Sequence, residues 1–466
     1  MDFKRRDFLK KSSIAGAGMA LLPNFLGANT FNTSSTAFGA QYMGDFVAPK
    51  LDTVRCAFIG VGARGSGHAT RVASIEGTEV VAISDLYEDL ANRTAKNCLE
   101  KGGGTRHQNI AIYTGGDEEW KKMLKKEKPD VVFISTPWKD HAPMAIESMK
   151  RGAHAYVEVP IAVTIEEMWQ IVETSEKTQK HCMMMENVNY GREELLYLNM
   201  CRKGVIGELL HGEASYIHEL RGQMNSVDRG TGSWRTPHYA HRNGNLYPTH
   251  GLGPVAQYMN LARGEDNFER IVSMSSPAKG RALYAEKNFA KDHKWNKLDY
   301  KGGDINTSII KTTMGRTIMV QWDETSPRPY SRHNLIQGTK GTLTGFPTRI
   351  ALEGGFEGAT KSHHEWAQGD QLKEIFEKYE HPLYKRLGEI SVKNGGHGGM
   401  DYMMSYRIIE CLRKGLPMDQ NVYEGCFWSA VGPLSETSVA EHGSSVAFPD
   451  FTKGAWKTTK PLAIVS

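Results

Sequence analysis

Between residues 234 and 254 the chain concentrates side chains that can bind hydroxyl groups and move protons: Trp234-Arg235-Thr236-Pro237-His238-Tyr239, then Asn243 to Leu246, then Tyr247-Pro248-Thr249-His250-Gly251. Flat rings stack on the C–H faces of a sugar while amide, imidazole and phenol tips bond its hydroxyls. The glycines and prolines make this stretch a poor strand and a good binding loop. His250 is expected to open a helix whose apolar face is Leu252, Val255 and Met259. An imidazole fixed at that point suits a proton acceptor; a helix cap or a bond to a core carbonyl is the structural alternative. A second cluster, Glu186-Asn187-Val188-Asn189-Tyr190-Gly191-Arg192, closes a strand with groups that also suit sugar hydroxyls. In a third, Gly395-Gly396-His397-Gly398-Gly399-Met400-Asp401, a glycine turn holds one imidazole and Asp401 follows four residues on to orient it. His363-His364-Glu365 and the six scattered cysteines lack metal-ligand spacing, so neither a metal nor a disulfide framework is expected.

These groups need elements to hold them, and the clearest lies upstream. Arg55 to Ile59 reads as a buried strand, Gly60-Val61-Gly62-Ala63-Arg64-Gly65 as a tight turn, and residues 66 to 74 as a helix. Strand, glycine turn and helix N-terminus together make a pyrophosphate cradle. Val80 to Asp85 reads as the second strand, ending in an acid placed for ribose hydroxyls; this favours NAD over NADP, with Arg93 on the next helix as the reservation. Pro129 to Pro137 is a further parallel strand, its exit loop carrying Trp138 and His141, and Ala155-Tyr156-Val157 runs into Glu158-Val159-Pro160. The expected cofactor contacts are therefore Gly60, Gly62, Ala63, Arg64, Gly65, Asp85, Thr136, Pro137, Trp138, His141, Glu158 and Asn187. Residues 51–185 form this nucleotide-binding half and residues 186–466 the substrate-binding half. The second half carries antiparallel hairpins such as Asn306–Thr312 with Arg316–Trp322, a sheet whose free face suits a second subunit. Residues 277–303 read as a linker and 359–390 as an irregular surface excursion.

The 466 residues suffice for two domains, and a 39% hydrophobic, 24% charged composition is that of an ordinary soluble chain. Of the formal charge of +4, a net +3 sits in the first thirty residues, so the body is nearly neutral and no nucleic-acid partner is expected. Residues 1–30 combine Arg5-Arg6 with a short Ala- and Gly-rich apolar run and resemble a twin-arginine signal, implying export of a folded, cofactor-loaded protein to the periplasm; residues 31–50 read as a polar lead-in.

The order of glycine turn, Asp85, Thr136-Pro137, His141 and Glu158-Val159-Pro160 resembles the glucose-fructose oxidoreductase and inositol dehydrogenase (Gfo/Idh/MocA) superfamily. That resemblance implies an α/β chain, an N-terminal Rossmann domain followed by a C-terminal α/β domain with an open, largely antiparallel sheet. Its dehydrogenases carry Glu-Lys-Pro where this chain has Val159, which cannot handle a proton. With the Tyr247 to Gly251 run, Tyr190, Tyr330-Ser331-Arg332-His333 and the glycine-flanked His397, the chain more closely resembles bacterial NAD-dependent alpha-N-acetylgalactosaminidases of glycoside hydrolase family 109. What this implies is retaining hydrolysis of terminal alpha-linked N-acetylgalactosamine, including the blood group A determinant, with NAD kept bound and regenerated in each cycle. It implies His250 at the C3 hydroxyl and Tyr190 at the C2 proton, or the reverse. Tyr247, Tyr330 and His397 would bind the sugar with Trp234, Arg235 and Asn189, and Glu158 would lie beside nicotinamide and substrate. A periplasmic sugar dehydrogenase of the same superfamily is the competing reading.

Overall fold

The structure is a computed structural model that describes residues 41–102, 107–355 and 364–465. The twin-arginine segment, the first half of the polar lead-in (residues 31–40) and His363 lie outside them.

The first layer alternates strand and helix: β1 (Val54–Ile59), α1 (Gly65–Ala73), β2 (Thr78–Ser84), α2 (Glu88–Lys101), β3 (Ala111–Tyr113), α3 (Glu119–Glu127), β4 (Val131–Ile134), α4 (His141–Lys150), β5 (His154–Val157), α5 (Ile165–Thr178) and β6 (Cys182–Met184). The six strands are all parallel in the order β3-β2-β1-β4-β5-β6, so the sheet is doubly wound and its sequence order reverses between β1 and β4. Strands covered on both faces must be apolar throughout, and β4 and β5 are buried at every position. Helix α5 begins on a capping box in which Thr164 accepts from the Glu167 N–H and the Glu167 side chain accepts from the Thr164 N–H.

After a single 3-10 turn, Asn187–Tyr190, come α6 (Arg192–Arg202), β7 (Leu209–Ile217), α7 (Thr231–His241), α8 (Thr249–Tyr258), β8 (Phe268–Ser275), α9 (Gly280–Asn288), β9 (Ile305–Thr312), β10 (Thr317–Asp323), β11 (Leu335–Gly338), β12 (Gly341–Thr344), β13 (Arg349–Leu352), α10 (Asp370–Tyr379), α11 (Pro382–Asn394), α12 (Met400–Lys414), α13 (Val422–Ala440) and β14 (Val446–Ala447). The eight strands run β13-β12-β11-β7-β10-β9-β8-β14, antiparallel except for β7 against β10. Helices α8 and α13 pack on this sheet, at β7 and β8 respectively.

Three segments differ from the expectations. Trp234 to Tyr239 is helix, within α7, not loop. The 277–303 linker contains α9 and a 3-10 turn that seats Trp295 against Met224 and Ala285 as a satellite core. The excursion over 359–390 contains α10 and all but the end of α11, which pair short apolar stripes with exposed charge. One helix also crosses the expected partition of the chain. Tyr402, Met403, Ile408 and Leu412 of α12 share one core with Val54, Phe58, Ile83 and Phe133, so the C-terminal half supplies a cover for the first sheet.

Candidate active site

Gly60 follows β1 with φ of +77°, and a Cβ there would stand 2.8 Å from the Thr136 methyl and 2.9 Å from the Ser135 carbonyl. Only glycine turns there. A Cβ at Gly65 would fall 1.9 Å from the Gly60 oxygen, whereas one at Gly62 would meet open space, the room a pyrophosphate needs; Ala63 is exposed on the rim. No side chain caps α1, so its N-terminus opens on that space, with only the Ser66 N–H turned back to the Gly62 carbonyl. Asp85 accepts from the Val61 N–H at 2.7 Å and the Tyr87 N–H at 2.9 Å, which aims the carboxyl at the mouth of the turn; Arg93 is exposed on α2. These residues fit a dinucleotide.

Arg64 reaches out of the turn to both halves of the molecule. It donates to Glu158 at 2.9 Å from Nε, to Asp401 Oδ2 at 2.9 Å from Nη1 and to Asp401 Oδ1 at 3.2 Å from Nη2. The buried Asp401 carboxyl also receives Arg71 at 3.1 Å, Asn187 at 2.7 Å and His397 Nδ1 at 3.0 Å. Burial raises the Asp401 pKa, but the His397 and Arg64 donors outweigh it and hold the acid well below the usual carboxylate range. Glu158 behaves alike. Burial pushes its carboxyl up, while Arg64 and then His68, at 2.6 Å, hold it firmly ionised. His68 is itself kept neutral by burial, so its Nε2–H donates to Glu158. Asn187 spends its NH₂ on Asp401, and its buried carbonyl oxygen has no partner among the described residues, an acceptor open to a ligand amide.

The second group gathers around Trp138, buried in the turn after Pro137. Its ring meets Trp234, His238 and Tyr239 edge-on and Tyr247 at 5.6 Å. The Arg235 guanidinium lies 4.7 Å from the Trp138 ring, 5.3 Å from Trp234 and 5.2 Å from Tyr247, with no carboxylate partner among the described residues. Tyr247 packs on Tyr216 at 4.5 Å and on His250 at 5.0 Å, and Tyr216 also meets the half-exposed Tyr330 at 6.2 Å. His250 is the second residue of α8, and its Nδ1 is 2.6 Å from Oε1 of the fully buried Glu186. Its Nε2 has no hydrogen bond among the described residues and is free for a substrate proton. Tyr247 also lies within electrostatic reach of Glu158, Arg64 and Glu186, which joins the two groups.

Three expected site residues are placed otherwise. Both ring nitrogens of His141 face carbonyl oxygens, Pro160 at 2.7 Å and Thr136 at 3.0 Å, and the ring is fully buried, so it braces the strand-end loops instead of presenting an atom to a cofactor. The Tyr190 hydroxyl donates to Asp419 at 3.2 Å; burial and that neighbour raise its pKa well above the ordinary phenol, the reverse of what a tyrosine base needs. Asn189 stands with Glu186 against Gly253 and borders a small cavity with Gln257 and Asp419, and no contact with Trp234 or Arg235 appears among the described residues. His68 and Tyr216 were not among the expected site residues, and Glu186 was expected only as one of the strand-end groups suited to sugar hydroxyls. Glu186 sits in the same acidic and amide cluster as Asn187, but its partner is 64 residues away.

Residues 54–186 match the NAD-binding Rossmann fold of the Gfo/Idh/MocA oxidoreductase family, and residues 190–458 match the glycosyl hydrolase 109 C-terminal domain. The chain is 66% identical over 428 residues to glycosyl hydrolase family 109 protein 1 of Akkermansia muciniphila, covering 92% of this chain and 88% of that one. A family 109 protein of Shewanella baltica is 54% identical over 461 residues, covering 99% and 98%. Among solved structures, levoglucosan dehydrogenase with NADH and levoglucosan superposes with a TM-score of 0.63 at 17% identity, over 85% of this chain and 100% of that one, a likeness of fold. The glycine turn, the second sheet and these matches over nearly the whole chain agree: it is an enzyme of glycosyl hydrolase family 109, built on the NAD-binding Gfo/Idh/MocA fold.

Proposed function

We propose that the enzyme hydrolyses terminal alpha-linked N-acetylgalactosamine with retention, by oxidation at C3, elimination across C1–C2, addition of water at C1 and reduction at C3. The observation that carries this reading is the His250–Glu186 pair, an imidazole oriented by a buried carboxyl and free at Nε2, joined to the ionised Glu158 through Tyr247, which lies within electrostatic reach of both carboxylates. Bound NAD would supply a hydride acceptor that is restored within the same cycle. Gly60, Gly62, Gly65 and Asp85 would hold it, with Asn187 offering its free carbonyl oxygen. His250 carries proton transfer at the reacting carbons. Glu158, ionised and fixed by Arg64 and His68, accepts a hydrogen bond from a sugar hydroxyl. Arg235, Trp234, Tyr247, Tyr330 and His397 bind the sugar. Val159 is buried and without a proton to give, which weighs against a plain dehydrogenase built on a lysine at that position. We also propose twin-arginine export to the periplasm, supported by Arg5-Arg6 and the apolar run that follows, and self-association through the second sheet.

The test is stoichiometry. With an aryl alpha-N-acetylgalactosaminide, free reducing N-acetylgalactosamine should accumulate with no net NADH, and in D₂O the product should carry deuterium at C2. Oxidised sugar accompanied by equivalent NADH would make the protein a dehydrogenase.

A further inference from the structure

A cavity of about 440 Å³ opens beside the site, on the side of His397 and Tyr190, and apart from His397 none of its lining has a role in the steps above. Its size is that of a small-molecule pocket, roughly 300–1,000 Å³. It shares a wall with the sugar site, because Arg332 donates to the Tyr330 hydroxyl at 2.8 Å while its guanidinium lies over Phe346, and the Phe346 ring meets that of Tyr330 at 5.6 Å. The opposite wall comes from α10 and α11, where Phe376 and Tyr384 flank the guanidinium of Arg192.

The lining defines the ligand by its chemistry. Its two arginines are matched, Arg332 with Glu194 at 2.7 Å and Arg192 with Glu380 at 2.5 Å, while Glu193 accepts from the neutral Thr348 hydroxyl and burial raises its pKa toward the uncharged form. An anionic ligand would have to break one of these arginine pairs. Two buried lining atoms, Arg332 Nε and Ser391 Oγ, have no hydrogen-bond partner among the described residues, and such groups cost stability unless something meets them. Unmet donors between aromatic rings, with no unpaired cation for an anion to bind, fit a neutral polyhydroxylated ring with apolar C–H faces. We propose that the cavity is the subsite for the neutral hexose that carries the scissile oxygen, the part of the glycan that leaves. The inference rests on the hydrolase reading, since only bond cleavage makes a leaving sugar.

The test compares kcat/KM for a disaccharide bearing terminal alpha-N-acetylgalactosamine on a neutral hexose with that for the aryl glycoside, in wild type, Tyr384→Ala and Ser391→Ala. The disaccharide-to-aryl ratio should fall about ten-fold in Tyr384→Ala and several-fold in Ser391→Ala. Saturation-transfer NMR with methyl β-galactoside on the wild-type holoenzyme gives a second readout that needs no variant to fold, and transfer should be seen. A ratio unchanged in both variants, or absence of transfer to wild type, overturns the subsite while leaving hydrolysis standing. Failure to release reducing N-acetylgalactosamine from either substrate overturns both.

Discussion

His250 and His397 differ in what holds them. The first is mostly enclosed and backed by Glu186, and the second is 58% exposed on its turn and backed by Asp401. An enclosed imidazole with a fixed partner is oriented before substrate arrives, whereas an exposed one can be replaced by water. His250→Ala should therefore lower kcat by about 10²–10⁴-fold, the usual worth of a general base, while native mass spectrometry still finds the dinucleotide. Glu186→Gln should cost roughly 10–100-fold through the orientation of His250. His397→Ala should act chiefly on KM, by less than about ten-fold on an exposed contact. Equal losses of kcat in His250→Ala and His397→Ala would show that the two share the chemistry.

At the scale of elements, the decisive piece is the turn that enters α12. Gly396 has φ of +83°, and a Cβ there would lie 2.6 Å from Asp401 Cβ and 2.9 Å from Arg71 Nη1, so the turn and the carboxyl hub fit only without a side chain. Gly396→Ala should lower stability by about 1–3 kcal/mol in urea unfolding and weaken turnover through a displaced Arg64. Asp401→Asn should cost about 3–5 kcal/mol, because it leaves the Arg64 and Arg71 guanidiniums short of their shared anion. The glycine turns, Asp85 and the His397–Asp401 spacing were legible in the residues because each is local, a matter of backbone freedom or of a short glycine turn. The hub was not, since it joins Arg64 to Asp401 across 337 residues. The helical state of Trp234 was hidden by Pro237 and flanking glycine, and α10 and α11 were hidden by their exposed charge. Tertiary packing decides such segments more than propensity does.

Two properties belong to the whole molecule. Glu158 and Asp401 have folded pKa values below their ordinary ones, so the unfolded chain binds more protons in acid. Their contribution is complete above the ordinary carboxylate range, about pH 4, and is lost as pH falls through that range toward the folded values. Urea midpoints should be flat in this respect from pH 7 to 5 and drop steeply below about 4, less steeply in Asp401→Asn. The second property concerns the free face of the larger sheet. Val272 pairs with Ile309 and Ile309 with Met319, so three apolar side chains form a row across β8, β9 and β10, and Met274 beside them is 68% exposed. The polar alternation expected of a solvated face is missing along that row, while the opposite face packs on α8 and α13. An apolar row of this kind on an otherwise neutral body favours a second copy of the same face, related by a two-fold axis. Light scattering on the full chain should then give a mass near twice 51.9 kDa, less any residues removed on export. Ile309→Lys should weaken association at least ten-fold without moving the urea midpoint of the dissociated chain, because position 309 is 39% exposed and touches solvent in the monomer. A wild-type mass equal to one chain at micromolar concentration would leave the row as plain surface.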